Sequence, residues 1–146
     1  MYNYTKERLL NLVNNELENN DREIITEVDK LSSKNKVLSI IEHYKENVEN
    51  AKVAKTGILA AFGIGAVATA GLALGFTAKG INDLTPSLLF GTGIVAITGA
   101  LYATAHLAEK RFTNKHKELV QAYNDYQVVK ENQDAKNGSC EQDQTL

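Results

Sequence analysis

The fold is decided by residues 56–108, which are TGILAAFGIGAVATAGLALGFTA (56–78), KGIND (79–83) and LTPSLLFGTGIVAITGALYATAHLA (84–108). The first block has no charged residue, and the only residue of the second that can carry a charge near neutral pH is His106, near its end. A helix needs about 20 apolar residues, at about 1.5 Å each, to cross the hydrocarbon core of a bilayer. Both blocks exceed this length, and the segment between them is long enough only for a turn. We therefore predict an integral membrane helical hairpin, with two transmembrane helices, 56–78 and 86–108, and a tight connector, 79–85.

Small residues recur at regular steps along both predicted membrane helices. In lipid, small side chains let two helices approach closely, which replaces the missing hydrophobic force for association. The predicted helix-packing residues are Gly57, Ala61, Gly65, Thr69, Gly71 and Gly75 in the first helix and Thr92, Ala96, Gly99, Ala100, Ala103 and Thr104 in the second. Because the connector is so short, we expect the two helices to be antiparallel and closely packed.

Apolar and aromatic residues continue outside both spans at alternating steps of four and three, which is the spacing of a coiled-coil seam. The predicted seam residues are Val37, Ile41, Tyr44 and Val48 before the first span and Phe112, His116, Leu119, Tyr123 and Tyr126 after the second. No proline or glycine interrupts 34–56, so one helix is expected from about residue 34 to residue 78. The sequence thus predicts an all-α protein in which an antiparallel coiled-coil stalk, 34–55 against 109–130, extends the hairpin.

The two ends of the chain give weaker patterns. Residues 1–33 carry two sets of apolar positions with helical spacing, which predict short N-terminal amphipathic helices that either pack on the protein or lie on the membrane surface. These positions are Leu9, Leu10, Val13 and Leu17, and then Ile24, Ile25, Val28 and Leu31. We place the break at Asn19-Asn20, with Asn20 as the N-cap of the second helix and Glu23 as its capping-box partner. Residues 131–146 have no apolar period and are predicted to form a disordered tail.

Cap residues set the expected ends of the long helices. Ser32-Ser33 is expected to provide the N-cap of the helix that begins near residue 34, because serine side chains accept hydrogen bonds from the first turn. Thr85 is the expected N-cap of the second membrane helix, with Pro86 at its first position.

Composition excludes several functions. The net charge of −2 gives no indication of nucleic-acid binding, and the mean hydropathy of −0.28 hides the two apolar blocks because polar flanks dilute them. Cys140 is the only cysteine, so a disulfide within the chain and a multi-cysteine metal site are excluded. The three histidines have no metal-binding spacing, and Gly63-Ile-Gly65 and Gly91-Thr-Gly93 lack the remainder of a phosphate-binding motif. We predict no catalytic residue, metal, cofactor or small-molecule substrate.

The charges that flank the spans predict an orientation. Lys52 and Lys55 precede the first span, Lys110 and Arg111 follow the second, and the connector holds only Lys79. Loops rich in Lys and Arg stay in the cytoplasm, so both termini are expected there.

The pair of apolar helices, 56–78 and 84–108, resembles the bilobed hydrophobic domain of the inclusion-membrane proteins that intracellular bacteria secrete. The resemblance is one of topology and rests on no specific motif. It implies that both termini face the host cytosol and recruit host proteins, often through coiled-coil regions. It assigns no functional residue.

The sequence leaves three functions open. The first is a non-enzymatic membrane anchor whose cytosolic helices, 5–55 and 110–130, bind a protein partner or a second copy of the chain. The second is a holin-like protein or small pore, in which the weakly polar lining would be Thr69, Thr77, Thr92, Thr98 and Thr104. The third is a soluble bundle that buries the apolar hairpin and inserts it into a membrane on demand.

Overall fold

The computed structural model describes residues 1–19, 23–80 and 83–142. Within these residues the chain forms three helices, α1 (Tyr2–Glu18), α2 (Leu31–Ala78) and α3 (Thr85–Gln142). The prediction of an all-α protein is confirmed. α2 and α3 each contain a stretch long and apolar enough to cross a membrane, by length and composition. The described residues divide into two compact units, unit 1 (Met1–Glu46 with Thr113–Leu146) and unit 2 (Asn47–Phe112).

α1 ends where the sequence predicted a break. The N–H of Asn19 donates to the carbonyl of Asn15 (3.2 Å), which closes the last turn. Asn20, the predicted N-cap of a second helix, lies outside the described residues. Leu9, Val13 and Leu17 form the buried face of α1, as their spacing predicted.

The second predicted amphipathic helix is absent from the described residues, because 23–30 have no helical structure. The cause is a pair of hydrogen bonds from outside the segment. The Asn14 side-chain amide donates to the carbonyl of Ile25, and its oxygen accepts from the Ile25 N–H, both at 2.9 Å. Both backbone groups of Ile25 are thereby withdrawn from a helical ladder. Ile25 and Val28 are nevertheless buried, so their apolar character serves a packed, irregular segment.

α2 begins earlier than predicted and ends where predicted. It starts at Leu31, and the Lys34 N–H donates to the carbonyl of Lys30 (3.0 Å), so Ser32-Ser33 lie within the first turn and are not the N-cap. The helix ends at Ala78, and Gly80 follows with a φ of 69°. Glycine adopts this left-handed conformation without the steric cost that other residues meet, and it commonly ends helices in this way.

α3 begins at Thr85, one residue before the predicted first position, Pro86. The Leu88 N–H donates to the carbonyl of Leu84 at 3.0 Å, and the Asp83 carboxylate accepts the Thr85 N–H at 2.9 Å, so Thr85 lies inside the helix and is not its N-cap. Residues 81–82 of the predicted connector lie outside the described residues. α3 continues to Gln142, so the prediction that a disordered tail begins at residue 131 is wrong, while 143–146 lie outside the described residues. Residues 131–137 are fully exposed and rich in good helix formers, and no proline stops the helix there.

Unit 1 has a hydrophobic core to which all three helices contribute. Its buried residues are Leu9, Val13, Leu17, Ile25, Val28, Val37, Ile40, Leu119, Ala122 and Tyr126. Burying one such aliphatic or aromatic side chain stabilises a fold by about 1.5–3 kcal/mol. The predicted two-stranded coiled coil is therefore replaced in this unit by a core of three helices, because α1 covers the seam of α2 and α3.

Unit 2 consists of the apolar halves of α2 and α3. Its contacts join residue 55 to 109, 65 to 94 and 69 to 91, so positions along α3 fall as positions along α2 rise. The structure has almost no buried side chain here. Ala51 and Ser87 are the only residues of this unit that are buried among those described.

Candidate functional site

The most apolar surface of the described chain is the outer face of unit 2. No residue of the most apolar 18-residue window of α2 is buried, and 6% of the corresponding window of α3 is. Large exposed side chains include Ile64, Val67 and Leu74 of α2 and Leu88, Leu89 and Ile97 of α3. Soluble monomers rarely expose contiguous apolar patches of more than a few hundred Å², so a surface of this kind marks a site that contacts lipid or another protein.

Two glycines permit close contact between α2 and α3. A Cβ placed on Gly65 would lie 2.9 Å from Cγ2 of Ile94, and one placed on Gly91 would lie 3.0 Å from Cγ2 of Thr69. A normal side chain does not fit at these distances. Two of the predicted helix-packing residues, Gly65 and Thr69, thus contact the facing helix. Their partners there, Ile94 and Gly91, were not among the predicted helix-packing residues.

The other predicted packing residues do not make this contact. Gly57, Gly71, Gly75 and Gly99 have open space where a Cβ would be. Ala61, Thr92, Ala96, Ala100, Ala103 and Thr104 are exposed. The partly or fully buried positions of α3 in this unit fall on a different face: Ser87, Gly91, Ile94, Thr98, Tyr102, Ala105, Ala108, Glu109 and Phe112. The face predicted for α3 is therefore displaced around the helix from the one that meets α2.

The threonine hydroxyls of both apolar stretches are bonded within their own helices. Thr69 donates to the carbonyl of Gly65 (2.9 Å) and Thr77 to that of Ala73 (2.8 Å). Thr92, Thr98 and Thr104 likewise donate to carbonyls three or four residues before them. Each hydroxyl proton is thus used locally, as expected of threonine in an apolar helix.

A groove of about 650 Å³ lies between the two helices of unit 2, with Phe62, Ala66, Gly91 and Val95 among its lining residues. The Ser87 hydroxyl also lines it and donates to the carbonyl of Leu84 at 3.0 Å. The lining is otherwise almost wholly apolar. The groove therefore suits an apolar occupant.

A polar cluster lies at the end of unit 2 where the apolar stretch of α2 begins and the apolar stretch of α3 ends. Lys55 Nζ donates to Glu109 Oε2 (2.7 Å) and lies 3.5 Å from His106 Nδ1. It also lies 5.4 Å from the centroid of the Tyr102 ring, within the range of a cation–π contact. The hydrogen bond with Glu109 raises the pKa of Lys55 and lowers that of Glu109, so both groups are charged at neutral pH.

Glu16 joins all three helices of unit 1. Its carboxylate is buried, and it accepts the Tyr44 hydroxyl of α2 and the Lys115 ammonium of α3, the latter at 2.9 Å. Burial opposes the ionisation of Glu16, but these two hydrogen bonds outweigh it and lower its pKa. Burial and the bond to Glu16 together raise the pKa of Tyr44. A buried charge is tolerated only when it is paired and hydrogen-bonded in this way.

Asp29 forms a second polar centre in unit 1. Its carboxylate accepts hydrogen bonds from Tyr2 (3.1 Å) and Lys6 (3.2 Å) of α1 and from Tyr126 and Lys130 (2.7 Å) of α3. These bonds, with Lys130 the largest contributor, hold the pKa of Asp29 far below its ordinary value. No local pattern in the sequence indicates this centre, because its members are far apart along the chain.

The predicted seam residues separate between the units. In unit 1, Val37, Leu119 and Tyr126 are core residues, Ile41, Tyr44 and Tyr123 pack against that core, and His116 is half-buried. Val48 and Phe112 are half-buried in unit 2. Ile40 and Ala122 are buried although the seam did not include them. The seam residues of unit 1 thus belong to a core that α1 shares, and a two-stranded coiled coil is not confirmed.

Among the described residues, no three His, Cys, Asp or Glu side chains are grouped closely enough to hold a metal ion. No model of a protein family matches the chain, and no curated protein or solved structure matches it. The resemblance to inclusion-membrane proteins therefore rests on the layout of the apolar stretches alone.

Proposed function

We propose that the protein is a non-enzymatic membrane anchor, in which unit 2 inserts as a helical hairpin and unit 1 binds a protein partner or a second copy in the cytoplasm. The observation that carries the proposal is the exposure of the apolar side chains of unit 2 along nearly the whole of both stretches. The order of contacts between α2 and α3 supports an antiparallel pair.

Two observations favour the anchor over the other functions considered. The threonine hydroxyls that a pore would present to water already donate to carbonyls of their own helices. A soluble bundle that hides its hairpin would cover the apolar window of α2, and none of that window is buried. Leakage of a trapped dye from liposomes tests the pore directly, since a pure anchor causes none.

Leu31 and Leu38 support the partner-binding role of unit 1. They lie seven residues apart, on one face of α2, and both are exposed. The flanking lysines and Arg111, compared with the single Lys79 of the connector, support a cytoplasmic location of both termini. Labelling of Cys140 by an impermeant thiol reagent in intact cells tests this orientation, and reaction from outside would contradict it.

Extraction of membranes at alkaline pH tests insertion. The native chain is expected to stay in the pellet. Val67→Lys, at the middle of the first span, should release a large fraction, because a lysine at that depth costs about 2.5–3.5 kcal/mol. Val53→Lys is the matched control, since Val53 is as exposed as Val67 in the same helix (71% and 74%) but lies outside the span. Release of the native chain to the supernatant would refute insertion.

A further inference from the structure

Four cationic side chains lie at one end of unit 2. Lys52 and Lys55 precede the apolar stretch of α2 by up to one turn, and Lys110 and Arg111 follow that of α3. The hydrogen bond between Lys55 and Glu109 brings these two helix ends together at 2.7 Å. We name Lys52, Lys55, Lys110 and Arg111 the basic belt.

The belt divides into a paired cation and three exposed ones. Lys55 is held by Glu109, with His106 and the Tyr102 ring beside it, and its side chain is only 19% exposed. This contact neutralises Glu109, the one carboxylate within the belt. Lys52, Lys110 and Arg111 are exposed, and none forms an ion pair with another described residue. Three exposed cations therefore remain beside the Lys55–Glu109 pair, and Glu109 acts on Lys52 only through charge and without an ion pair.

The opposite end of unit 2 has no such excess. It carries Lys79 and Asp83, and the Asp83 carboxylate accepts hydrogen bonds from Thr85, which lower its pKa and keep it charged. The two ends of the apolar pair thus differ by about three units of charge, and only the belt end attracts anions over a distance.

We propose that the basic belt binds the headgroups of anionic phospholipids, and this proposal rests on the proposed insertion of unit 2. The ligand is inferred from its charge, which complements that of the belt, and from the depth of the belt in the bilayer. The belt lies within one helical turn of the apolar stretches, which is the level of the phosphates when those stretches fill the hydrocarbon core. Lys and Arg side chains beside a membrane helix attract anionic lipid, by about 1 kcal/mol for each cation near the surface.

Aromatic rings next to the belt fit the same depth. The Tyr102 and His106 rings lie parallel, with an interplanar angle of 5° and centroids 6.5 Å apart. His106 lies about one turn and Tyr102 about two turns before Lys110. Tyrosine is enriched at the boundary between headgroups and hydrocarbon, where its hydroxyl is hydrated and its ring is not. The ring pair would therefore fix the height at which Lys110 and Arg111 meet the phosphates.

The test measures which lipids surround the full-length protein. The chain is reconstituted in phosphatidylcholine vesicles that carry a trace of spin-labelled phosphatidylserine or spin-labelled phosphatidylcholine, and the motionally restricted fraction of each label is compared. We expect a preference of at least about fivefold for phosphatidylserine, since one cation that contributes about 1 kcal/mol gives that factor. The preference should fall in about 1 M salt, where the Debye length is about 3 Å.

The variant Lys110→Gln/Arg111→Gln removes two of the three exposed cations and should lower the preference by about fivefold or more. Lys34→Gln/Lys45→Gln removes the same charge from exposed positions of unit 1 and should keep the preference. If both variants show the same preference for phosphatidylserine, the proposal that the belt binds lipid is wrong. It is also wrong if the native chain shows no preference. Inorganic phosphate, compared with chloride at equal ionic strength, is a further arm: if phosphate abolishes the preference and chloride does not, the belt is a general phosphate site and not a lipid site.

Alkaline extraction of the same vesicles separates this proposal from the one on which it rests. If the chain stays in the membrane but shows no lipid preference, the belt is wrong and the anchor stands. If the chain is extracted, both proposals fail.

Discussion

Asp29 is the residue on which three segments of unit 1 converge. It belongs to the irregular segment between α1 and α2, yet its carboxylate accepts two hydrogen bonds from α1 and two from α3. Two of the donors are lysines and two are tyrosines, so the carboxylate is stabilised in its charged form. The bonds hold in place a segment that has no helical ladder of its own, since the Asn14 side chain occupies both backbone groups of Ile25.

Asp29→Asn should lower the free energy of unfolding of unit 1. Hydrogen bonds to a charged group are worth about 1.5–3 kcal/mol, and the Asp29 side chain is 36% exposed, so solvent screening should reduce the loss to about 1–2 kcal/mol. Denaturant unfolding of the full chain in detergent, followed through the tyrosine signal, measures the change. Asp134→Asn is the control, because Asp134 is an exposed residue of the same unit. An equal loss in both variants would mean that the Asp29 bonds do not stabilise the fold.

The pH dependence of this contribution has a definite sign. The pKa of Asp29 is lowered in the folded protein, so its stabilisation is fully present above the unfolded value of about 3.9 and disappears as the pH falls further. Glu16 acts in the same direction. Between about pH 5 and pH 2, Asp29→Asn should therefore lose stability less steeply than the native chain. Parallel curves for the two proteins would contradict this assignment.

At the scale of the elements, composition and spacing predicted where helices occur better than which faces they pack. The break at Asn19 and the end of α2 at Ala78 follow from local residues and were predicted, and α3 starts at Thr85, within one residue of the predicted position. The irregular structure of 23–30 was not predicted, because it depends on a tertiary contact with Asn14 that the spacing of apolar residues does not reveal. The helical structure of 131–142 was not predicted, because an exposed helix needs no regular spacing of apolar residues.

The packing face of α3 could not be found from its small residues alone. Gly, Ala and Thr occupy several faces of that helix, so any of several rows satisfies the pattern. The row that meets α2 is chosen by a branched residue, Ile94, which fits where Gly65 has no Cβ, and by Thr69, which fits against Gly91. The packing face is set by the fit of a large residue on one helix against a small residue on the other. It can be identified only when the relative position of both helices is known.

Gly65→Val should weaken the packing of α2 on α3. Its Cβ would meet Ile94 at 2.9 Å, and overpacking of this kind costs about 1–3 kcal/mol. Gly63→Val is matched in helix and chemistry, but open space surrounds a Cβ at that position, so it should have little effect. Energy transfer between labels at residues 58 and 102 during a titration with dodecyl sulfate measures the separation of the helices. Ile94→Ala should restore the Gly65→Val protein, and failure of this rescue would exclude the contact as the cause.

At the scale of the whole molecule, the two units use their apolar residues in opposite ways. Unit 1 has an apolar core to which all three helices contribute. The carboxylates of Glu16 and Asp29 in this unit are hydrogen-bonded to side chains of other segments. Unit 2 leaves its own exposed over nearly all of both apolar stretches. Two surfaces this different in one chain suit two solvents, water for unit 1 and lipid for unit 2. The folding of unit 1 and the retention of the chain in the membrane should therefore be separable by mutation.

Leu119→Glu should unfold unit 1 and leave the chain in the membrane. Leu119 is 1% exposed, and an unpaired carboxylate in that core costs several kcal/mol, comparable to the whole stability of a small domain. Limited proteolysis should then cleave 1–46 rapidly, while alkaline extraction still leaves the chain in the pellet, since the residues proposed to contact lipid belong to unit 2. Leu38→Glu, at an exposed leucine of the same unit, should keep protease resistance. If Leu119→Glu also releases the chain from the membrane, then retention depends on a folded unit 1, and the division of roles between the two units is wrong.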